Sequence, residues 1–110
     1  MKLVKCIVRE GKVEETTDAL KRLDVSGLTV THVAGRGRGR NPTAVFRCSE
    51  YEIPYRPEMM IDMVVADYMV DDVVRTVIET ARTGEKGDGR VFVIPVEEAY
   101  SIRTRAGGPD

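Results

Sequence analysis

The sequence predicts an α+β domain in which an antiparallel sheet carries two helices on one of its faces. Short β-branched runs and helical patterns follow one another in the order β-α-β-β-α-β. Each helical segment has a single apolar stripe, as expected of a helix that lies on a sheet. The 110 residues are enough for one hydrophobic core, so we expect a single domain over 1–110.

The predicted strands are recognised by β-branched composition and by apolar residues that alternate with polar ones. In the first, Val4, Cys6 and Val8 alternate with Lys5 and Arg9. The third has apolar residues on both faces. We predict strands at 3–9, 28–33, 59–66 and 91–94, a further short extended piece within 96–104, and a frayed tail from 105.

The predicted helices cover 13–23 and 70–81. Acidic residues come early and basic residues late in the first, which suits the helix dipole. Its expected buried stripe consists of Val13, Thr17, Leu20 and Leu23. The stripe of the second follows helical spacing closely and consists of Val70, Val73, Val74, Val77, Ile78 and Ala81.

This element order is that of the ferredoxin-like fold, whose helices cover only one face of the sheet. The other face would remain exposed in an isolated chain. Because the third strand is apolar on both faces, we expect that face to be buried against other subunits, so a homo-oligomer is predicted.

Composition and charge exclude several classes of protein. The net charge of −1 and the aromatic fraction of 5% argue against a general nucleic-acid binder. Cys6 and Cys48 have no disulfide or metal-ligand spacing, and Cys6 is expected in the core. The single histidine, His32, favours a structural role over metal binding. We find neither a signal peptide nor a membrane span, and predict a cytoplasmic protein with no direct membrane insertion.

A glycine-rich segment at 83–93 separates the second helix from the last strand. Glycines allow close approach of a backbone to an anion, and Lys86 and Arg90 add positive charge, so the segment is typical of a phosphate cradle. It is not a P-loop, because the glycines follow a helix and the GxxxxGK[ST] spacing is absent. A turn that merely ends the helix, with Gly84 after its last residue, explains the pattern equally well.

A long polar loop is predicted at about 36–57, and loops of this length in compact domains are usually functional or disordered. Its beginning alternates Arg36, Arg38 and Arg40 with glycine. Such a pattern also occurs in nucleic-acid-binding tails, but the run is short and the chain is not basic. Contact with phosphate or with a partner protein is therefore favoured.

The chain resembles the PII signal-transduction family over almost its whole length. The segment 83–93 is similar to the B-loop of that family, taken here as about 83–90, and 36–57 is similar to its T-loop. Further similarity lies in 27–31, 35–38, 64–67 and 81–84, and it continues through the C-terminal segment 96–110.

The resemblance implies a homotrimer that binds ATP or ADP between subunits and regulates a partner protein through the T-loop. AMP and a magnesium ion bound with ATP are further expectations. The phosphate contacts that it implies are Gly37, Arg38, Gly87, Asp88, Gly89, Arg90 and, from the adjacent chain, Arg103. The implied base-binding wall is Ile7, Thr29, Gly35 and Val64. The implied partner-binding residues of the loop are Arg36, Arg40, Arg47, Tyr51 and Tyr55.

The sequence departs from that family at positions that bear on ligand choice. Gly39 replaces a Gln that helps to hold magnesium, and Glu58 replaces a Lys beside the oxo-acid, so ordinary 2-oxoglutarate binding is not expected. Ser101 replaces a phosphate-contacting Arg. Phe46 and Cys48 alter the flanks of Tyr51, so we do not predict nucleotidylylation there.

The function predicted from the sequence is a nucleotide-sensing regulator and not an enzyme. Its partner is left open between a transporter and a metabolic enzyme. Slow ATP hydrolysis in the same cleft, or a response to another small ligand, is the alternative. No Ser-His-Asp, Cys-His or paired-carboxylate arrangement supports a catalytic centre.

Overall fold

The computed structural model describes residues 1–25, 27–37, 43–46, 49–52 and 54–109, with 43–46 and 49–52 described by their backbone alone. Arg38, Arg40, Arg47, Gly39 and Cys48, to which predictions were attached, lie outside the described residues. The elements are β1 (Lys2–Arg9), α1 (Val13–Arg22), β2 (Thr29–Gly35), β3 (Thr43–Phe46), β4 (Ser49–Glu52), β5 (Arg56–Val65), α2 (Val70–Ala81) and β6 (Gly89–Pro95).

The main sheet has four strands in the order β2-β5-β1-β6. Both neighbours of β1, and β2 beside β5, pair in the antiparallel sense. With α1 and α2 in the connections, this topology confirms the predicted ferredoxin-like arrangement. The four predicted strands and two helices all exist, although β2 and β5 are longer than predicted towards the loop between them.

The core lies between the helices and one face of the sheet. The side chains of Val4, Cys6 and Val8 are buried there, as the alternation in β1 predicted. Their neighbours across the sheet and on the helices form one continuous cluster, which includes Met59, Ile61, Met63, Val65, Leu20, Val73, Val77 and Ala81. Burial, with a smaller contribution from the Asp62 carboxylate, raises the pKa of the Cys6 thiol to about 12, so this thiol is protonated and unreactive at neutral pH.

The buried stripe of α1 differs from the predicted one. Of the predicted residues Leu20 is buried, Val13 and Leu23 are partly buried, and Ala19 is buried although it was not predicted. Thr16 is fully buried, whereas the predicted Thr17 is only partly covered. The hydroxyl oxygens of Thr80 in α2 and Thr16 lie 3.2 Å apart, so each can satisfy the other inside the helix pair. Hydropathy alone does not reveal such a pair, because its members are 64 residues apart in the sequence.

The predicted stripe of α2 is confirmed except at Ile78. Val73, Val77 and Ala81 are buried, but Ile78 is 49% exposed. It lines a small cavity of about 230 Å³ between α2 and β6. The prediction that Ile78 faces the core is therefore wrong for a single chain, because the sheet ends at β6 and offers no further strand for this side chain to cover.

The face of the sheet that carries no helix is largely apolar, as the sequence predicted. By strand register, its side chains are Leu3, Ile7, Met60, Val64, Phe92 and Ile94. Two of them, Phe92 and Ile94, are 42% and 40% exposed on the edge strand. An ion pair between Lys5 and Asp62 crosses the middle of this face, with Nζ 3.2 Å from Oδ1.

The segment between β2 and β5 contains regular structure that was not predicted. Strands β3 and β4 form an antiparallel hairpin in which Thr43 pairs with Glu52 and Phe46 with Ser49. Each strand has four residues, which is too short to produce a clear alternation of apolar and polar residues. The prediction of a wholly irregular loop at 36–57 is therefore corrected.

The C-terminal segment also differs from the prediction. The proposed extended piece in 96–104 is not a strand of the sheet, and the tail is not frayed throughout. Tyr100 and Gly107 form an isolated bridge. Backbone hydrogen bonds from Ser101 to Ala106 and from Arg105 to Ser101, each 2.9 Å long, close a turn that periodicity cannot reveal.

Candidate functional site

A cleft of about 610 Å³ lies where the end of β2, the start of β5 and the glycine-rich segment meet. Its volume is within the range of small-molecule binding sites. The residues that line it are Ile7, Gly35, Arg36, Gly37, Arg56, Glu58, Lys86, Gly87, Gly89, Arg90 and Phe92. It therefore brings together the beginning of the long loop and the proposed phosphate cradle, which are about fifty residues apart in the sequence.

The glycine-rich segment has a conformation that depends on glycine at two positions in the cleft. The φ angles of Gly87 and Gly89 are 93° and 111°, in the region that side chains disfavour. A Cβ atom at Gly89 would overlap the carbonyl oxygen of Ile7, because β6 pairs closely with β1 at this point. The close pairing of β6 with β1 therefore requires glycine at position 89.

The carboxylate of Asp88 holds the glycine-rich segment together. It accepts hydrogen bonds from the backbone N–H groups of Thr83 and Gly84, both 2.9 Å long, and from the hydroxyl of Thr83. Arg9 Nε lies 3.0 Å from Asp88 Oδ1. The carboxylate therefore closes the turn from inside, and its hydrogen-bonding capacity is used by the protein itself.

These contacts also set the ionisation of Asp88. Desolvation acts to raise its pKa, but the hydrogen bonds from Thr83, Arg9 and Gly84 outweigh it, so the pKa of Asp88 lies well below its ordinary value. The carboxylate is charged at neutral pH. It is consequently a structural acceptor and not a proton donor.

Arg9 is a component of the site that the sequence analysis missed. Its Nη2 donates a hydrogen bond to the carbonyl oxygen of Lys86 (3.0 Å), in addition to the Nε contact with Asp88. The guanidinium thus joins the end of β1 to two points of the glycine-rich segment. In the sequence Arg9 is only a polar residue at the end of a strand, so no local signal identifies it.

The charged side chains that line the cleft are predominantly basic. Arg36, Arg56, Lys86 and Arg90 are opposed there by Glu58. Arg56 and Glu58 form an ion pair, with Nε 2.8 Å from Oε1. This excess of positive charge beside an open backbone suits the cleft to an anionic ligand.

The predicted ligand-binding residues fall into two groups within one chain. Ile7, Gly35, Gly37, Gly87, Gly89 and Arg90 line the cleft, and Asp88 shapes it from within the glycine-rich segment. The second group lies elsewhere: Thr29 is opposite Asp62 on β2, Val64 is opposite Leu3 on β5, and Arg103 is exposed in the C-terminal turn.

The predicted partner-binding residues are only partly described. Arg36 lines the cleft, and Tyr55 is exposed immediately before β5. Tyr51 belongs to β4, and its side chain is not among the described groups.

Among the described residues, no group of three or more His, Cys, Asp and Glu side chains is arranged to hold a metal ion. His32 is exposed on β2. No helix in the described part of the chain is both long enough and apolar enough to cross a membrane.

The fold and the cleft define a small α+β ligand-binding domain whose site adjoins a long connecting segment. The family model for nitrogen regulatory protein P-II matches residues 1–106. The chain therefore belongs to the P-II family, whose members are regulatory proteins.

Individual relatives match over nearly the full length. The nitrogen regulatory protein P-II of Haemophilus influenzae is 38% identical over 104 residues, which cover 94% of this chain and 93% of that protein. The Cereibacter sphaeroides protein of the same name is 38% identical over 110 residues, covering 100% and 98%. Nitrogen regulatory protein P-II 1 of Escherichia coli K12 is 39% identical over 104 residues, covering 94% and 93%.

The internal contacts of Asp88 predict how the stability of the protein depends on pH. Because its pKa is lower in the folded than in the unfolded state, Asp88 stabilises the fold above its unfolded pKa of about 4, and this stabilisation is lost as pH falls towards the folded pKa. Urea unfolding followed by circular dichroism between pH 6 and pH 2.5 measures the effect. We expect the unfolding free energy of Asp88→Asn to be lower at pH 6 and to fall less steeply with acidification.

Asp71→Asn is the matched control, since Asp71 is exposed in the first turn of α2 and away from the glycine-rich segment. Equal pH dependence of the wild type and Asp88→Asn would contradict the assigned role of the carboxylate.

Proposed function

We propose that this protein is a regulator of the P-II type that binds ATP or ADP in the cleft and controls a partner protein through the segment 36–57. The observation that carries the proposal is the meeting of the glycine-rich segment with Gly35 and Gly37, where the long segment begins. A ligand bound to one is in position to affect the other. The partner is a transporter or a metabolic enzyme, and the family name points to nitrogen metabolism as its context.

The chemistry of the cleft supports a nucleotide as the ligand. A polyphosphate requires clustered cations and accessible backbone N–H groups, which Lys86, Arg90 and the turn at Gly87 provide. A purine requires an apolar surface, and Ile7 and Phe92 supply one at the inner end. We infer that Arg38, next to Gly37, adds a further phosphate contact. A magnesium ion would accompany ATP through the phosphate oxygens.

The separation of the predicted ligand-binding residues supports a site shared between chains. Thr29, Val64 and Arg103 do not line the cleft of their own chain. In the proposed homotrimer, the apolar helix-free faces pack together, and the second group of one chain completes the cleft of its neighbour. The partly exposed Phe92 and Ile94 provide hydrophobic surface for this contact.

Slow ATP hydrolysis in the same cleft lacks a suitable base among the described residues. The Asp88 carboxylate accepts hydrogen bonds from its own turn, and Glu58 is paired with Arg56. In the free protein, neither carboxylate is therefore available to activate a water molecule. The structure therefore favours ligand binding as the activity of the cleft.

Nucleotide binding is tested by isothermal titration calorimetry with ATP, ADP and AMP. We expect saturable binding of ATP and ADP, and a loss of affinity of about tenfold or more in Arg90→Gln, since a charge-assisted contact with phosphate is removed. Arg75→Gln is the control, because Arg75 is exposed on α2 and paired with Asp72. Absence of binding by the folded wild type would refute the proposal.

The second prediction concerns 2-oxoglutarate. Because Glu58 adds negative charge to the cleft, we expect 2-oxoglutarate, added with magnesium present throughout, to change the affinity for ATP by about twofold or less. The same titration with sodium chloride at equal ionic strength controls for screening. A tenfold increase in the affinity for ATP with 2-oxoglutarate, but not with the control salt, would show that the cleft accepts a dicarboxylate in spite of Glu58.

The third prediction concerns assembly, measured by sedimentation velocity. The wild type should sediment as a trimer, and Ile94→Asp should dissociate because it places a charge in the buried helix-free face. Tyr68→Asp is the control, since Tyr68 is 85% exposed before α2, on the helix side. A monomeric wild type, or a trimer that tolerates Ile94→Asp, would contradict the proposed packing.

A further inference from the structure

The ion pair between Arg56 and Glu58 is the most enclosed charged pair of the cleft. Only 14% of the Arg56 side chain and 13% of the Glu58 side chain are exposed. Both groups line the cleft, and they are the first and third residues of β5. A pair with so little exposure is weakly screened by solvent, so its partners have strong effects on any charge that enters beside them.

The pair spans the gap between the two parts of the proposed phosphate site. On one side, a Cβ atom at Gly87 would lie 2.5 Å from Arg56 Nη1, so the guanidinium rests against the glycine-rich segment. On the other side, a Cβ atom at Gly35 would overlap the carboxylate of Glu58. Arg56 therefore lies beside the backbone at Gly87, next to the proposed position of a phosphate, and Glu58 is its partner in the free protein.

A phosphate and a carboxylate are competing partners for one guanidinium. Both accept parallel hydrogen bonds from arginine, and a phosphate carries the greater negative charge. A phosphate that entered beside Gly87 would be attracted by Arg56 and repelled by Glu58. The repulsion grows with the charge of the ligand, so it falls more heavily on a triphosphate than on a diphosphate.

We propose that Arg56 is a phosphate-binding residue that Glu58 holds in the free protein, and that this competition makes the cleft discriminate against ATP relative to ADP. The inference rests on the proposed nucleotide binding. On binding, the Arg56 guanidinium exchanges the Glu58 carboxylate for the terminal phosphate. Neither residue was identified as a nucleotide contact from the sequence.

Calorimetric titration of ATP and ADP into four proteins tests the discrimination. In Glu58→Gln we expect the affinity for ATP to rise about tenfold and that for ADP by about threefold or less, because the removed repulsion is larger for the triphosphate. Glu58→Asp retains the charge and should keep the wild-type ratio of affinities. Asp71→Asn removes an exposed carboxylate from the first turn of α2, away from the cleft, and should also keep that ratio.

A second comparison tests whether the effect passes through Arg56. In Arg56→Gln the affinity for ATP should fall, and adding Glu58→Gln to it should restore less than half of the gain seen with Arg56 present. The double variant replaces the charged pair by neutral side chains of similar shape, and thermal unfolding checks that it is folded. If Glu58→Gln raised the affinity for ATP by the full amount in the Arg56→Gln variant, Glu58 would act on the ligand only through electrostatic repulsion. That result would overturn the proposed exchange of partners.

The outcomes separate this inference from the proposed function. Binding of both nucleotides by the wild type, with the same ATP-to-ADP ratio in Glu58→Gln, would overturn the inference and leave nucleotide sensing standing. No binding of either nucleotide by the folded wild type or by Glu58→Gln would overturn both.

Discussion

The carboxylate of Asp88 is the contact on which the candidate site depends. It accepts hydrogen bonds from the backbone N–H groups of Thr83 and Gly84. Its contact with Arg9 joins this turn to the end of β1. The negative charge of Asp88 is balanced locally by the hydrogen bonds that it accepts and by Arg9.

The strand pairing gives this turn a rigid support. Strand β6 approaches β1 so closely at Gly89 that the carbonyl oxygen of Ile7 occupies the space of a side chain. Any displacement of the turn would have to break this pairing or the Arg9 contacts. The long segment has no comparable support among the described residues, because its hairpin pairs only with itself. The glycine-rich turn is thus held by the main sheet, whereas the hairpin of the long segment forms a separate two-stranded sheet.

The sequence allowed the fold to be predicted well, but only part of the site. Helix and strand periods depend on local spacing, so β1, β5 and α2 were recognised from their own residues. Thr16 and Arg9 owe their roles to partners far away in the chain, and Arg56 lies in the cleft against the distant Gly87, so no local pattern reports them. The cradle was an open alternative by spacing alone. The family resemblance favours the phosphate cradle, and the structure adds the internal role of Asp88.

The helix-free face of β5 carries two ion pairs, one that joins neighbouring strands and one that lies within β5 itself. Asp62 pairs with Lys5 in the middle of the sheet, directly across the β1 and β5 register. Arg56 and Glu58, on one strand and two residues apart, cannot add a link between strands in this way. Burying an ion pair costs desolvation free energy, and the attraction between its two charges seldom exceeds that cost. A stabilising role is thus a weak explanation for Arg56 and Glu58, and their position between Gly35 and Gly87 favours a role in ligand selection.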